Sequence, residues 1–195
     1  MGNDVKESLV HYLQRGREAL VWKLEGLSDY DVRRPMVPTG TNLLGLVKHL
    51  TYGEAWYFGN CFDRPFPESL PEWDVTVEQV DPNGDMYAGA DESRAEVIAR
   101  FERACAHADE TIAALPLDAV GFVPWWGPNG SDATLGRLLV HVATEANRHV
   151  GHADILRELI DERVGVRPDN SNLPEVAADY WPEYRQRLEQ IARNS

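Results

Sequence analysis

The fold is decided by residues 138–156, which read LLVHVATEANRHVGHADIL. Apolar residues recur in this stretch at the spacing of an α-helix, which turns about 100° per residue. On such a helix His141, Glu145, His149 and His152 share an arc of less than a quarter of the circumference. On or beside that arc lie the apolar side chains of Leu138, Val142, Ile155 and Leu156. We therefore predict a helix whose stripe of metal-capable side chains faces the interior of a bundle.

A carboxylate buried among imidazoles is unfavourable unless a partner compensates its charge. A divalent cation would do so directly, because Glu145 and His149 lie one helical turn apart and can chelate one ion. A hydrogen-bonded network of the same carboxylate and imidazoles, without a metal, would also satisfy these groups. The residues alone leave both interpretations open.

A third ligand has to come from another helix. His49 lies within the broad apolar face of the second predicted helix, which is formed by Leu43, Leu44, Leu46, Val47 and Leu50. Opposite a pair such as Glu145 and His149, this histidine is the natural third ligand. His11 and His107 have no such neighbours, and we assign them no role.

The remaining sequence predicts an all-α protein. Periodicity and capping residues predict helices over residues 5–27, 41–60, 91–115, 134–162 and 179–193. Prolines interrupt the connections at 62–86 and 124–130, and no period-two alternation is long enough to indicate a sheet. We expect a four-helix bundle with long crossover loops and a short C-terminal helix. It would form one domain over residues 1–195, with its core bundle at about 5–162.

Several details of these helices can be checked. Thr41 or Asn42 is expected to cap the second helix, and Ser131 or Thr134 the fourth. The apolar face of the first helix is predicted to consist of Leu9, Tyr12, Leu13, Leu20, Leu24 and Leu27.

Composition limits the partners. The formal charge is −13, from 32 acidic and 19 basic residues, and such a chain repels the phosphates of nucleic acids. No apolar run approaches the roughly 20 residues that cross a bilayer, and the first residues lack the pattern of a secretory signal. We therefore expect a cytoplasmic protein without nucleic-acid or membrane partners. Cys61 and Cys105 are too few for a disulfide framework.

The motifs resemble a known superfamily. The histidine of Leu46-Val47-Lys48-His49-Leu50 and the later run Glu145-x-x-x-His149-x-Gly151-His152 are similar to the DinB-like metal-binding four-helix bundles. That superfamily includes bacterial thiol-dependent transferases and the mycothiol-dependent maleylpyruvate isomerase. The resemblance places the metal ligands on His49, Glu145 and His149, with glutamate at position 145 as in the isomerase-like branch. Loop residues in 62–67, 124–126 and 169–174 look like an actinobacterial branch of unknown function.

The resemblance also implies a chemistry. Two imidazoles and one carboxylate suit Zn²⁺, with Ni²⁺ or another divalent ion as an alternative, and three protein ligands leave a coordination position open. We expect a thiol S-transferase or isomerase that acts on a small electrophile with a low-molecular-weight thiol, mycothiol in an actinobacterial source. A metal-dependent hydrolase and a non-catalytic metal-binding or small-molecule-binding stress protein are the alternatives. The resemblance favours a homodimer.

A further group of side chains is expected to support the ligands or face the substrate: His141, His152, Asp154, Trp56 and Trp126. Of these, His152 occupies a place that often holds glutamine in the superfamily. Trp73 and Trp125 lie in predicted loops and, with Trp56 and Trp126, could line the opening of the metal site. The simpler alternative is that these tryptophans cover the open end of the bundle.

Overall fold

The structure is a computed structural model that describes residues 4–70, 81–127 and 132–195. Over those residues the chain forms six α-helices and a two-stranded antiparallel hairpin, with short 3-10 turns between them. The helices are α1 (Val5–Trp22), α2 (Asp29–Arg33), α3 (Leu43–Phe58), α4 (Arg94–Ala114), α5 (Leu135–Asp161) and α6 (Tyr180–Arg193). The strands are β1 (Val120–Phe122) and β2 (Asp132–Thr134). The predicted all-α class is confirmed.

The ends of the long helices follow from local capping. The side chain of Asn42 accepts a hydrogen bond from the amide of Gly45 at the start of α3. Thr134 does the same for Arg137 at the start of α5, and Glu162 ends that helix in the left-handed conformation at φ 62°. These contacts confirm one predicted cap for each helix; Ser131, the other candidate for α5, lies outside the described residues.

The core lies where α1 packs on α5 and where α3 packs on both α4 and α5. Large apolar side chains from all four helices are fully or almost fully buried there, among them Leu13, Leu20, Leu46, Phe58, Phe101, Leu138 and Leu139. This packing brings α3 and α5 side by side, so residues on their facing sides can meet.

Several features differ from the sequence-based expectations. Ile155, expected on or beside the inward-facing arc of α5, is 61% exposed. Helix α1 ends at Trp22 rather than near residue 27, and Tyr12, predicted for its apolar face, is 62% exposed. Ser28, just beyond the predicted end of the first helix, caps the short helix α2, which the sequence analysis did not predict, by accepting a hydrogen bond from the amide of Asp31. The 3-residue strands of the hairpin are too short to produce an alternating pattern in the sequence.

Buried charges tie the helices together. The Arg17 guanidinium in α1 makes two hydrogen bonds, of 2.8 and 2.6 Å, to the Glu54 carboxylate in α3, and one of 2.7 Å to Asp109 in α4. Arg157 in α5 is fully buried and donates at 2.8 Å to the carbonyl oxygens of Lys23 and Glu25, just beyond the end of α1. Each arginine therefore adds directional contacts between segments, which fix their relative positions more closely than hydrophobic packing does.

The chain separates into two compact units, Met1–Val164 and Gly165–Ser195. The first contains α1 to α5 and the hairpin, and the single domain over residues 1–195 stays a prediction. The second contains α6, whose bounds lie within one residue of the predicted C-terminal helix. Among the described residues, no helix combines the length and apolarity needed to span a membrane.

We predict that Glu54→Ala lowers the free energy of unfolding by about 3–5 kcal/mol, because it leaves the Arg17 cation buried without its main partner. Asp109→Ala is the matched control: the Asp109 carboxylate is 50% exposed, and its loss should cost less than about 1 kcal/mol. Urea unfolding of the two variants measures the difference. Equal losses would contradict the assigned role of Glu54.

Candidate metal centre

The three side chains predicted as metal ligands lie together. His49 comes from α3, and Glu145 and His149 come from successive turns of α5. One ligand atom from each residue can be chosen so that all three lie within 4.8 Å of one another. Glu145 Oε1 is 2.8 Å from His149 Nε2 and 3.6 Å from His49 Nε2. Both imidazole rings therefore direct Nε2 toward the same carboxylate oxygen.

The three residues differ in exposure. His149 is buried, whereas the side chains of His49 and Glu145 are 21% and 38% exposed. The cluster therefore lies at the edge of the core, with one side accessible to a small molecule.

The pKa shifts of His149 and Glu145 favour the protonation states in which these side chains bind metals. Burial and the neighbouring His49 lower the pKa of His149, although its hydrogen bond to Glu145 acts in the opposite direction. Burial would raise the pKa of Glu145, but its contacts with His149 and His49 outweigh that effect and lower it. At neutral pH His149 is therefore neutral and Glu145 ionised, the states in which these side chains coordinate metals.

Asp85 is a further member of the site that the sequence analysis missed. Its Oδ2 lies 2.7 Å from His49 Nδ1, and the residue is only 7% exposed. Burial opposes a charged His49, but the hydrogen bonds and charges of Asp85 and Glu145 outweigh it and raise the pKa of His49. A carboxylate on the second ring nitrogen of a histidine fixes the ring and leaves the first nitrogen for a metal.

Gly45 explains how Asp85 reaches His49. Asp85 lies in the 3-10 turn Gly84–Met86, which packs on α3. A Cβ on Gly45 would be 1.8 Å from the carbonyl oxygen of Met86, so only glycine allows this close approach. Asp85 is 36 residues from His49 in a proline-rich connection, and no periodicity links the two; the glycine in α3 was the only local signal.

The donor set and its spacing fit a divalent cation. Two ligands of a tetrahedral Zn²⁺ with bonds of about 2.0–2.1 Å lie roughly 3.3 Å apart. The separations of 2.8 and 3.6 Å at Glu145 Oε1 bracket that value, and one donor atom from each of the three residues lies within 4.8 Å of the others, so side-chain rotations would bring them to one ion. The same contacts also satisfy the side chains as a hydrogen-bonded network, the alternative that the sequence left open.

The other two histidines of the stripe lie on either side of this cluster. His152 Nδ1 is 3.4 Å from His149 Nδ1, on the ring nitrogen that faces away from Glu145. His141, one turn before Glu145, packs edge-on against Tyr57 and Trp126, with ring centroids 4.8 and 4.9 Å away. Burial and Arg137 lower the pKa of His141, although Glu145 opposes the shift. His141 and Trp126 therefore form an aromatic wall beside Glu145.

The remaining predicted residues have other neighbours. Asp154 forms a 2.6 Å ion pair with the buried Lys23, at the end of α1, and any role in the site stays a prediction. Trp56 packs edge-on against Trp125 at 5.7 Å, near the C-terminal end of α3. Trp73 lies outside the described residues.

The chain is similar to known proteins in sequence pattern and in fold. A model of the mycothiol S-transferase family, a DinB-like family, matches residues 8–162 and confirms the predicted superfamily. Among solved structures, the chain is similar to a conserved protein from Enterococcus faecalis, with a TM-score of 0.56 and 15% identity over 82% of this chain and 98% of that one. This second likeness concerns the fold alone. No curated protein matches the chain.

We predict that Asp85→Asn weakens Zn²⁺ binding by about 10- to 100-fold, because the His49 ring loses its charged support. The control is Asp81→Asn in the same connection, which removes an exposed carboxylate hydrogen-bonded to the Tyr87 hydroxyl. Competition with a chromogenic chelator gives both affinities. An Asp85→Asn affinity equal to that of the wild type would mean that Asp85 does not position His49.

Proposed function

This chain belongs to the mycothiol S-transferase family, and we propose that it transfers a low-molecular-weight thiol, mycothiol, to a small electrophile at a divalent metal held by His49, Glu145 and His149. The convergence of these three donors from α3 and α5 is the observation that supports a bound metal. The family membership supports a thiol co-substrate.

The protein's own thiols support an external nucleophile. Burial raises the pKa of Cys61 to about 12. Burial and the nearby carboxylate of Glu54 also raise the pKa of Cys105, despite the opposing effect of Arg17. Both cysteines are therefore protonated at neutral pH, and a protonated thiol is a poor nucleophile. The reactive sulfur in our proposal comes from the co-substrate.

The proposed roles of the residues follow from their contacts. A divalent cation in this site would lower the pKa of a thiol and favour the nucleophilic thiolate. Asp85 fixes the ring of His49, and Glu145 contributes the negative charge that balances part of the cation. His141 and Trp126 form the adjacent wall, which excludes water from one side of the reacting groups. The exposed edge of Glu145 leaves room for the thiol and the electrophile.

In the transfer, the thiol loses its proton to solvent, its sulfur forms a bond to a carbon of the electrophile, and the leaving group departs from that carbon. In an isomerase, the second form of the hypothesis, the sulfur would later leave again. We favour transfer because the matching family is one of S-transferases. Zinc as the metal, a homodimer and a cytoplasmic location remain predictions that accompany this proposal.

We predict that the Zn²⁺-loaded protein accelerates conjugation of mycothiol to the chlorinated electrophile monochlorobimane, with release of chloride. Removal of the metal with a chelator should abolish the acceleration, and added Zn²⁺ should restore it. His49→Ala and Glu145→Ala should lose both bound metal and activity, because each removes one of three ligands. The fluorescence of the conjugate reports the rate, and metal analysis reports occupancy.

His11→Ala is the matched histidine control, since the His11 ring packs on Tyr12 of α1. It should keep full metal content and full rate. Full metal content in His49→Ala and Glu145→Ala would refute the site. Normal metal binding without thiol transfer would instead favour the hydrolase or the binding protein.

A further inference from the structure

A cavity of about 560 Å³ lies between the C-terminal end of α3 and the hairpin. Its walls include Trp56 from α3, Asp63 from the turn that follows, and Phe122 and Asp132 from the two paired strands. Its volume is within the range of about 300–1,000 Å³ that is usual for small-molecule sites. Asp63, Phe122 and Asp132 are exposed, so the cavity is open to solvent.

The cavity is held in place by a close contact. Gly121 in β1 packs against the 3-10 turn Asn60–Phe62, and a Cβ at this glycine would lie 2.6 Å from the carbonyl oxygen of Cys61. A larger residue would push the hairpin away from α3. The close packing of β1 on this turn therefore fixes the wall that the hairpin contributes to the cavity.

The cavity and the metal centre share one face of α3. His49 and Trp56 are seven residues apart, so Trp56 lies nearly above His49 and about 10 Å further along the helix axis. Gly53 lies between them on the same face, and a Cβ added there would meet no atom within 4 Å. The surface of α3 at Gly53, between His49 and Trp56, is therefore open.

The lining of the cavity has a distinct chemistry. Trp56 and Phe122 offer aromatic surfaces, and Asn60, Asp63 and Asp132 offer amide and carboxylate oxygens. No lysine, arginine or histidine is present among the described residues that line it. Carboxylate and amide groups accept hydrogen bonds from hydroxyls, and aromatic faces pack on the C–H faces of sugar rings. Two carboxylates without a cation repel an anionic ligand.

We propose that this cavity binds the uncharged polyol part of the thiol co-substrate and selects it against thiols that carry carboxylates. The inference rests on the proposed function, because it assumes that the thiol sulfur lies at the metal centre. Mycothiol joins its cysteinyl group to an aminosugar and an inositol and carries no carboxylate. Glutathione and bacillithiol each carry two. The open surface at Gly53 lets the cysteinyl group reach the centre while the rings occupy the cavity.

Binding can be separated from reaction with S-methylmycothiol, which has no free thiol. Isothermal titration calorimetry should detect its binding to the wild-type protein. Gly53→Leu covers this open surface and should weaken that binding at least about tenfold. Gly151→Leu is the matched control: Gly151 is also a helical glycine with nothing within 4 Å of an added Cβ, but it lies on the side of α5 away from His149. It should bind like the wild type.

The role of the two carboxylates is tested with a separate variant. In Asp63→Asn/Asp132→Asn both carboxylates become amides, and asparagine tolerates the left-handed conformation of residue 63, at φ 55°. The affinity for S-methylmycothiol relative to S-methylglutathione should fall at least about tenfold. Circular dichroism melting verifies the fold of each variant.

The outcomes separate the two proposals. Loss of S-methylmycothiol binding in Gly53→Leu, with a reduced preference in the double variant, supports the cavity even if no thiol transfer is found. Transfer of mycothiol by the wild type together with unchanged S-methylmycothiol binding in both variants overturns the cavity and leaves the proposed function standing. Absence of S-methylmycothiol binding to the wild type also overturns the cavity.

Discussion

The candidate metal centre depends on one constraint: α3 and α5 have to pack so that an imidazole of one helix reaches a carboxylate and an imidazole of the other. His49 Nε2 and His149 Nε2 both point to one oxygen of Glu145, and this convergence requires a fixed rotation of each helix about its axis. Inserting or deleting one residue between the ligands and the packed part of either helix would rotate a ligand by about 100° about the helix axis. The apolar packing of α3 on α5 sets that rotation.

Other contacts hold the constraint in place. Arg17 ties α1 to Glu54, five residues after His49 in α3, and Arg157 ties α5 to the chain just beyond the end of α1. Gly45 admits the turn that brings Asp85 to the back of the His49 ring. The candidate metal centre is thus supported by both hydrophobic packing and buried polar contacts. Its outer side remains accessible to a small molecule.

The sequence predicted what helical periodicity determines. The stripe on α5 follows from the spacing of four residues on one helix, and His49 was singled out because it lies within the apolar face of α3. The caps of α3 and α5 are local too, since the Asn42 and Thr134 side chains bond to amides three residues away. Only the superfamily resemblance indicated that the segment with His49 and the segment with Glu145 and His149 share one site.

What the sequence did not predict depends on contacts between distant segments. Asp85 lies in an irregular connection, and only the folded chain shows that it meets His49. The ion pair between Asp154 and Lys23, just beyond the end of α1, likewise joins segments that no local pattern links. Tyr12 fits the apolar periodicity of α1 and is nevertheless exposed. Periodicity indicates which face of a helix is buried, but it does not show how wide the buried face is. The cavity at the hairpin also arises only when the end of α3 and the hairpin are brought together.

The most direct measurement of the central claim is the X-ray absorption spectrum of the purified protein loaded with one equivalent of Zn²⁺. The account predicts a coordination shell with two imidazole nitrogens and a carboxylate oxygen, without sulfur from Cys61 or Cys105. A shell without imidazole, or a protein that retains no Zn²⁺ after desalting, would contradict it.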